Sequence, residues 1–183
     1  MKHGFKARAE RMALAERGAL GLTERCRLDP ARLAESKGYP VVVLSALADV
    51  PPAAVARLQC DDVEAFSAAA VVLGAHALIV VNDAHTPERQ VNSVAHELAH
   101  LLLGHEPGIA FGDYGSRTLT GEIEQEADWL AGCLLVPGSG IRATMAACGG
   151  SLDAAANHYG VSLQLMRWRF NKTQWKPRSR TAA

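Results

Sequence analysis

Long apolar runs are missing from this chain. No stretch approaches the roughly 18 residues that a membrane-spanning helix needs, and Met1 to Glu10 holds no apolar block of signal-peptide type. A cytoplasmic protein with no membrane partner is the expectation. A dominant charge is missing too. Lys plus Arg total 19 and Asp plus Glu total 19, so bulk charge does not point to nucleic acid or a membrane surface. Cysteine is sparse and scattered: Cys26, Cys60, Cys133 and Cys148 form no CxxC pair. That excludes a disulfide framework of the small secreted kind and predicts reduced, mostly buried thiols. There is no internal repeat and no long linker. What remains is 183 residues, 49% hydrophobic and 21% charged, enough for one globular domain with its own core.

The patterning predicts an α+β fold, a small mixed sheet with a β-hairpin packed against a mostly helical body. Residues 5–20 read as an amphipathic helix. Asp29-Pro30 opens a second helix over 31–37, with aspartate as N-cap and proline in the first turn. Val41 to Leu44 is a short strand, and a short helix follows at 53–58. Residues 63–73 and 77–82 read as the two arms of a hairpin around Gly74. From Pro87 onward helices are expected at 88–103, 121–135, 138–147, 152–159 and 162–170. One domain over 1–172 accounts for this, with 152–171 as a closing helical pair. A basic tail, 173–183, is expected to be disordered. No acidic residue follows Asp153.

One motif carries chemistry. Residues 96–100 read His96-Glu97-Leu98-Ala99-His100, an HExxH. On a helix, positions i and i+4 share a face, so two imidazoles can hold one zinc ion while Glu97 is placed to take a proton from the attacking water. Chance gives roughly 0.02 such motifs per shuffled chain of this composition, so context matters. At 100° per residue, Arg89, Asn92, Ser93, His96, Glu97, His100 and Gly104 fall on one arc. Val91, Val94, Ala95, Leu98, Leu101 and Leu102 fill the other side. A helix this apolar is buried, and its narrow polar stripe needs partners.

Catalytic zinc takes three protein ligands. The metzincin pattern fails, because position 103 is leucine and position 106 is glutamate. His105 lies about 180° from His96 on the wheel and follows a helix-ending Gly104. It reads as a helix C-terminal residue rather than a ligand. In the next helix Glu124 and Asp128 are spaced i, i+4 at the edge of the apolar stripe Ile123, Ala127, Leu130, Ala131, Leu134. Glu124 suits the third ligand, and Asp128 suits a residue that orients a ligating histidine from behind. Glu126, on the opposite edge, is the alternative ligand.

Together these segments resemble the ImmA/IrrE-type zinc metallopeptidases, which cleave bacterial and phage transcriptional repressors. The match runs through Arg89-Gln90, Val94 to His105, and Glu124 to Pro137. It extends to Leu28–Leu44 as an opening helix and strand, and to Ala156–Arg169 as a closing helical segment. The resemblance implies a zincin-like body with HExxH on its central helix. It also implies one zinc ion at His96, His100 and Glu124, Glu97 as the catalytic base, and a helix-turn-helix repressor as substrate. Ala99 stands where the family usually has glycine, and Trp129 is a second departure, on the far side of its helix.

The reaction expected is metal-assisted peptide hydrolysis. Tyr114 and His158-Tyr159 are candidates to stabilise the oxyanion. Loop 105–119 has the glycines of a lid, and the strand at 77–82 is expected to offer its edge to an extended substrate. A competing reading comes from 152–171. Two helices around Tyr159-Gly160-Val161-Ser162 resemble a helix-turn-helix, and Arg167, Arg169 and Lys172 could meet phosphates. A zinc-binding DNA-binding regulator, or a partner-binding protein with little turnover, would follow.

Overall fold

The computed structural model describes residues 1, 3–47, 51–61, 63–74, 76–105 and 117–173, with only the backbone at 73 and 117–120. Helices are α1 (Phe5–Ala19), α2 (Pro30–Ser36), α3 (Pro52–Ala56), α4 (Pro87–Leu103), α5 (Arg117–Leu135), α6 (Gly138–Ala147), α7 (Leu152–Tyr159) and α8 (Leu163–Lys172). Strands are β1 (Val41–Val43), β2 (Ala68–Leu73) and β3 (His76–Val81). The architecture is the expected mixed α+β.

The sheet order is β1-β3-β2. β1 runs parallel to β3, with Val42 opposite Val80. β2 pairs antiparallel with β3 from Ala68 opposite Val81 to Leu73 opposite His76. The hairpin is therefore real, but its first arm starts at Ala68. Residues 63–65 instead form a short 3-10 turn. β3 is the central strand, paired on both sides, so it has no free edge. The edge strands are β1 and β2, which corrects the expectation for 77–82.

Local chemistry sets the helix ends. The Asp29 carboxylate accepts from the N–H groups of Ala31 and Arg32, with Pro30 in the first turn. Ser151 and Ser162 cap α7 and α8 in the same way, accepting from Ala154 N–H and Leu165 N–H. α1 buries Phe5, Ala9, Ala13 and Arg17, one residue per turn, against α5.

α4 bridges the sheet and two other helices. It packs on α5, α2, β2 and β3, burying Val94, Ala95, Leu98 and Ala99. The alanine at 99 is completely buried, so a small side chain is what this contact requires. α5 is fixed at its C-terminal end by two buried arginines. Arg17 donates to the carbonyl of Leu134. Arg169 donates to the carbonyl of Val136 at 2.9 Å and pairs with the Glu10 carboxylate. Cations at a helix C-terminus complement its dipole and satisfy carbonyls with no intrahelical partner. Trp129 meets Trp168 edge to face at 5.4 Å, with the Lys6 ammonium 4.4 Å above its ring.

All four cysteines are free. Only Cys133 is fully buried, while Cys60 is exposed, so "mostly buried" holds for one of the four. No single helix among the described residues is long and apolar enough to cross a membrane. The pair α5 and α6, bent by 43°, reaches that hydropathy only together, and its apolar residues Leu134, Leu135, Val136 and Ile141 are core. Residues 106–116 of the expected lid and 174–183 of the tail lie outside the described residues.

Candidate metal centre

α4 and α5 lie side by side, and their polar edges meet. His96 Nε2 is 3.1 Å from Glu124 Oε2, His100 Nε2 is 3.0 Å from His96 Nε2, and His100 Nε2 is 3.5 Å from Glu124 Oε1. Among the described residues this trio is the one cluster of three His, Cys, Asp or Glu side chains close enough to share an ion.

The triangle can be tested against zinc. Bonds of about 2.0–2.1 Å to nitrogen or oxygen put the vertices of a tetrahedron about 3.3–3.5 Å apart. The observed edges of 3.0, 3.1 and 3.5 Å match that spacing within a few tenths of an ångström. The protonation pattern agrees. Asp128 Oδ1 lies 2.9 Å from His96 Nδ1. A carboxylate only accepts, so His96 donates its Nδ1–H, and in the neutral imidazole the Nε2 lone pair then faces the trio. The Glu124 carboxylate is also an acceptor. Lone pairs that converge in this way repel one another unless a proton or a cation lies between them. The donor set therefore fits zinc, and His96, His100 and Glu124 are the residues that would hold it.

Glu97 sits one residue along α4 and points to the sheet. Its Oε2 accepts the Ala70 N–H of β2 at 2.8 Å. That N–H faces away from β3, at the free edge of the sheet. The HExxH helix is thus seated against the outer strand, with Glu97 between helix and strand edge.

Electrostatics differ from residue to residue. Burial raises the Glu97 carboxyl above its usual range, and the Ala70 N–H and nearby His96 only partly offset this. At His96 burial works against the imidazolium, but the bond to Asp128 and the charges of Glu97 and Glu124 outweigh it and the pKa rises. His100 is shifted down, first by burial and then by His96.

The site residues expected from sequence come together: His96, Glu97, His100, Glu124 and Asp128 share one locality. Glu126 does not face away. Its Oε2 is 3.8 Å from His105 Nε2, so it lies behind His105 rather than among the trio. Two other expectations fail. The Tyr159 hydroxyl is buried and bonds Thr144 Oγ1 at 2.9 Å and the Glu24 carbonyl at 3.2 Å, while His158 Nε2 bonds the Arg25 carbonyl at 2.7 Å. They tie α7 to the segment after α1, not to the trio. Tyr114 lies outside the described residues. Arg169 is completely buried, which leaves Arg167 and Lys172 exposed on α8. The expected phosphate-binding face thereby loses its central member. Sequence reasoning missed the Ala70 N–H, because no side chain signals a backbone donor. It also missed the contact of His105 with His100. The signal for that one was present: a histidine immediately after a helix-ending glycine is folded back over the last turn.

No curated protein sequence matches the chain. Among solved structures, a Mycobacterium tuberculosis transcriptional regulator shares its fold. The TM-score is 0.59 at 17% identity, over 98% of this chain and 50% of that one. The chain thus spans about half the length of that relative. The family model described as IrrE N-terminal-like domain (Peptidase_M78) matches residues 50–171, from ahead of α3 nearly to the end of α8. This match takes in both helices of the trio and the strand that holds Glu97, and the chain belongs to the IrrE N-terminal-like, metallopeptidase-like domain family.

Proposed function

We propose that this protein is a zinc-dependent endopeptidase whose substrate is a protein, a helix-turn-helix transcriptional repressor. The observation that carries the reading is the trio of His96, His100 and Glu124, at tetrahedral spacing, next to a buried carboxylate on the free edge of a strand. The family supports a metallopeptidase. The repressor rests on the resemblance of the HExxH and Glu124–Asp128 segments to repressor-cleaving enzymes. α1 and α2 lie ahead of the matched region, yet they pack on α5 and α4, so residues 1–172 act as one domain in this reading.

His96, His100 and Glu124 would hold the zinc ion, which would supply a Lewis acid for the scissile carbonyl and the attacking water. Asp128 keeps His96 in the tautomer whose Nε2 lone pair is available. Glu97 takes the proton of the attacking water and passes it to the leaving amine. Its burial suits this role, because a carboxylate with a raised pKa is a better base. The outer edge of β2 passes Glu97, so an extended peptide added to that edge lays a peptide bond beside the base.

The test is Glu97→Gln, assayed with the helix-turn-helix repressor encoded nearest the gene. The variant keeps the side-chain shape and should retain one zinc per chain. Cleavage should fall by at least the roughly 10²–10⁴-fold expected for loss of a general base. A zinc-loaded variant that still cleaves fully would refute hydrolysis by this site.

A further inference from the structure

His105 lies outside the trio, yet it touches it. Gly104 ends α4 with φ 67°, a left-handed conformation that glycine adopts freely. The chain then doubles back: the His105 N–H bonds the His100 carbonyl at 3.0 Å, and the Gly104 N–H bonds that of Leu101 at 3.2 Å. This Schellman-type closure lays the His105 ring over the last turn. The two rings meet edge to face, 5.1 Å between centroids, with His105 Nδ1 3.1 Å from His100 Nδ1. On the far side of His105, Nε2 is 3.8 Å from Glu126 Oε2. Both side chains are largely buried, at 11% and 15% exposure.

The bond between the two Nδ1 atoms admits two proton arrangements. If His105 donated, His100 would carry its proton on Nε2 and could not ligate. If His100 donates, its Nε2 lone pair faces His96 and Glu124, and His105 carries its proton on Nε2. That proton then faces the Glu126 carboxylate, so Glu126 favours the second arrangement.

We propose that His105, backed by Glu126, is the positioning residue for His100, fixing its tautomer and ring orientation as Asp128 does for His96. The proposal rests on the metal reading of the trio. It makes the site symmetrical: each ligating imidazole has its outer nitrogen held by a residue that is not itself a ligand. His105 would act through His100 and touch neither metal nor substrate.

The experiment measures zinc affinity of the full chain by competition with a chromogenic chelator, together with the visible absorption spectrum of the Co²⁺-loaded protein. Outer partners of ligating histidines typically contribute 10–100-fold in metal affinity. His105→Ala should therefore weaken zinc by about that factor and change the Co²⁺ bands. Its metal-free circular dichroism melt should match the parent. His105→Asn puts an amide oxygen close to where Nδ1 was and should recover most of the affinity. Glu126→Leu should produce a smaller loss, and it serves as the second variant if His105→Ala does not fold.

Parental zinc affinity and an unchanged Co²⁺ spectrum in His105→Ala would overturn the proposal. Parental affinity in Glu126→Leu would remove the backing role and overturn it as stated. A loss as complete as that of His100→Ala, with no recovery in His105→Asn, would also overturn it by making His105 a ligand. Full zinc retention in His100→Ala is a different failure. It would refute the metal reading itself, and this proposal with it.

Discussion

Asp128 Oδ1 lies 2.9 Å from His96 Nδ1, across the seam between α4 and α5. The bond selects which nitrogen of His96 is free for the trio. It also ties the HExxH helix to the helix that brings Glu124. Asp128 is solvent-exposed, at 65% of its side chain, so the fold does not depend on it. Asp128→Ala should leave the metal-free melting temperature nearly unchanged and lower zinc affinity about 10–100-fold. A chelator competition assay reads this directly, and parental affinity would show that the bond orients nothing.

The choice of Glu124 over Glu126 can be separated in the same assay. Glu124 places both oxygens within 3.5 Å of the histidine Nε2 atoms, whereas Glu126 lies 3.8 Å from His105 Nε2. Glu124→Ala should lose most of the zinc at micromolar protein. A mutant that keeps its zinc while Glu126→Ala loses it would hand the ligand role to Glu126.

How much of this was legible in the sequence depends on whether a feature is local. The i, i+4 spacings of His96 with His100 and of Glu124 with Asp128 are fixed by helix geometry, so these four residues could be named from their positions, with Glu97 one place along from His96. The Asp29 and Ser162 caps were legible for the same reason. Features made by tertiary packing were not. That β3 is central and β2 the edge depends on the distant Val41–Val43 strand joining the hairpin. The sequence of α8 alone puts Arg169 with Arg167 and Lys172 as residues that could meet phosphates. The fold instead turns Arg169 inward to Glu10, 159 residues away in sequence. His158 and Tyr159 are taken up by the carbonyls of Arg25 and Glu24, partners more than 130 residues away that no local pattern signals.

The Arg169–Glu10 pair carries a stability prediction. Arg169 is fully buried, and it also serves the Val136 carbonyl. Removing one partner of a buried pair leaves the other charge uncompensated and costs about 3–5 kcal/mol. Glu10 keeps 29% exposure, so Arg169→Ala should fall at the lower end, about 3 kcal/mol. Urea unfolding of the metal-free protein measures this. A change below 1 kcal/mol, on the order of a surface pair, would mean that Arg169 does not hold the end of α5.

Cys133 gives a prediction in alkaline solution. It is buried on α5, and burial pushes its thiol from 9.0 up to about 12. The sign follows from linkage. The folded pKa lies above the unfolded one, so stability from this group is complete below about pH 9 and declines as pH rises toward 12. In that window the unfolded chain can ionise the thiol and the folded chain cannot. At one pH unit above the unfolded value the loss is about 1.4 kcal/mol. Burial also raises the Tyr159 phenol, which adds a loss of its own above its ordinary range. Comparing the parent with Cys133→Ala isolates the thiol. The variant has a small cavity and should be less stable at pH 8. Its stability should then drop less than the parent's between pH 8 and pH 10, by about 1.4 kcal/mol. Labelling provides an independent check: the exposed Cys60 should react with a thiol reagent in the folded protein, and Cys133 only on unfolding. Equal alkaline losses in the two proteins, or Cys133 labelling as fast as Cys60, would place this face of α5 in contact with solvent rather than against α8 and Glu10.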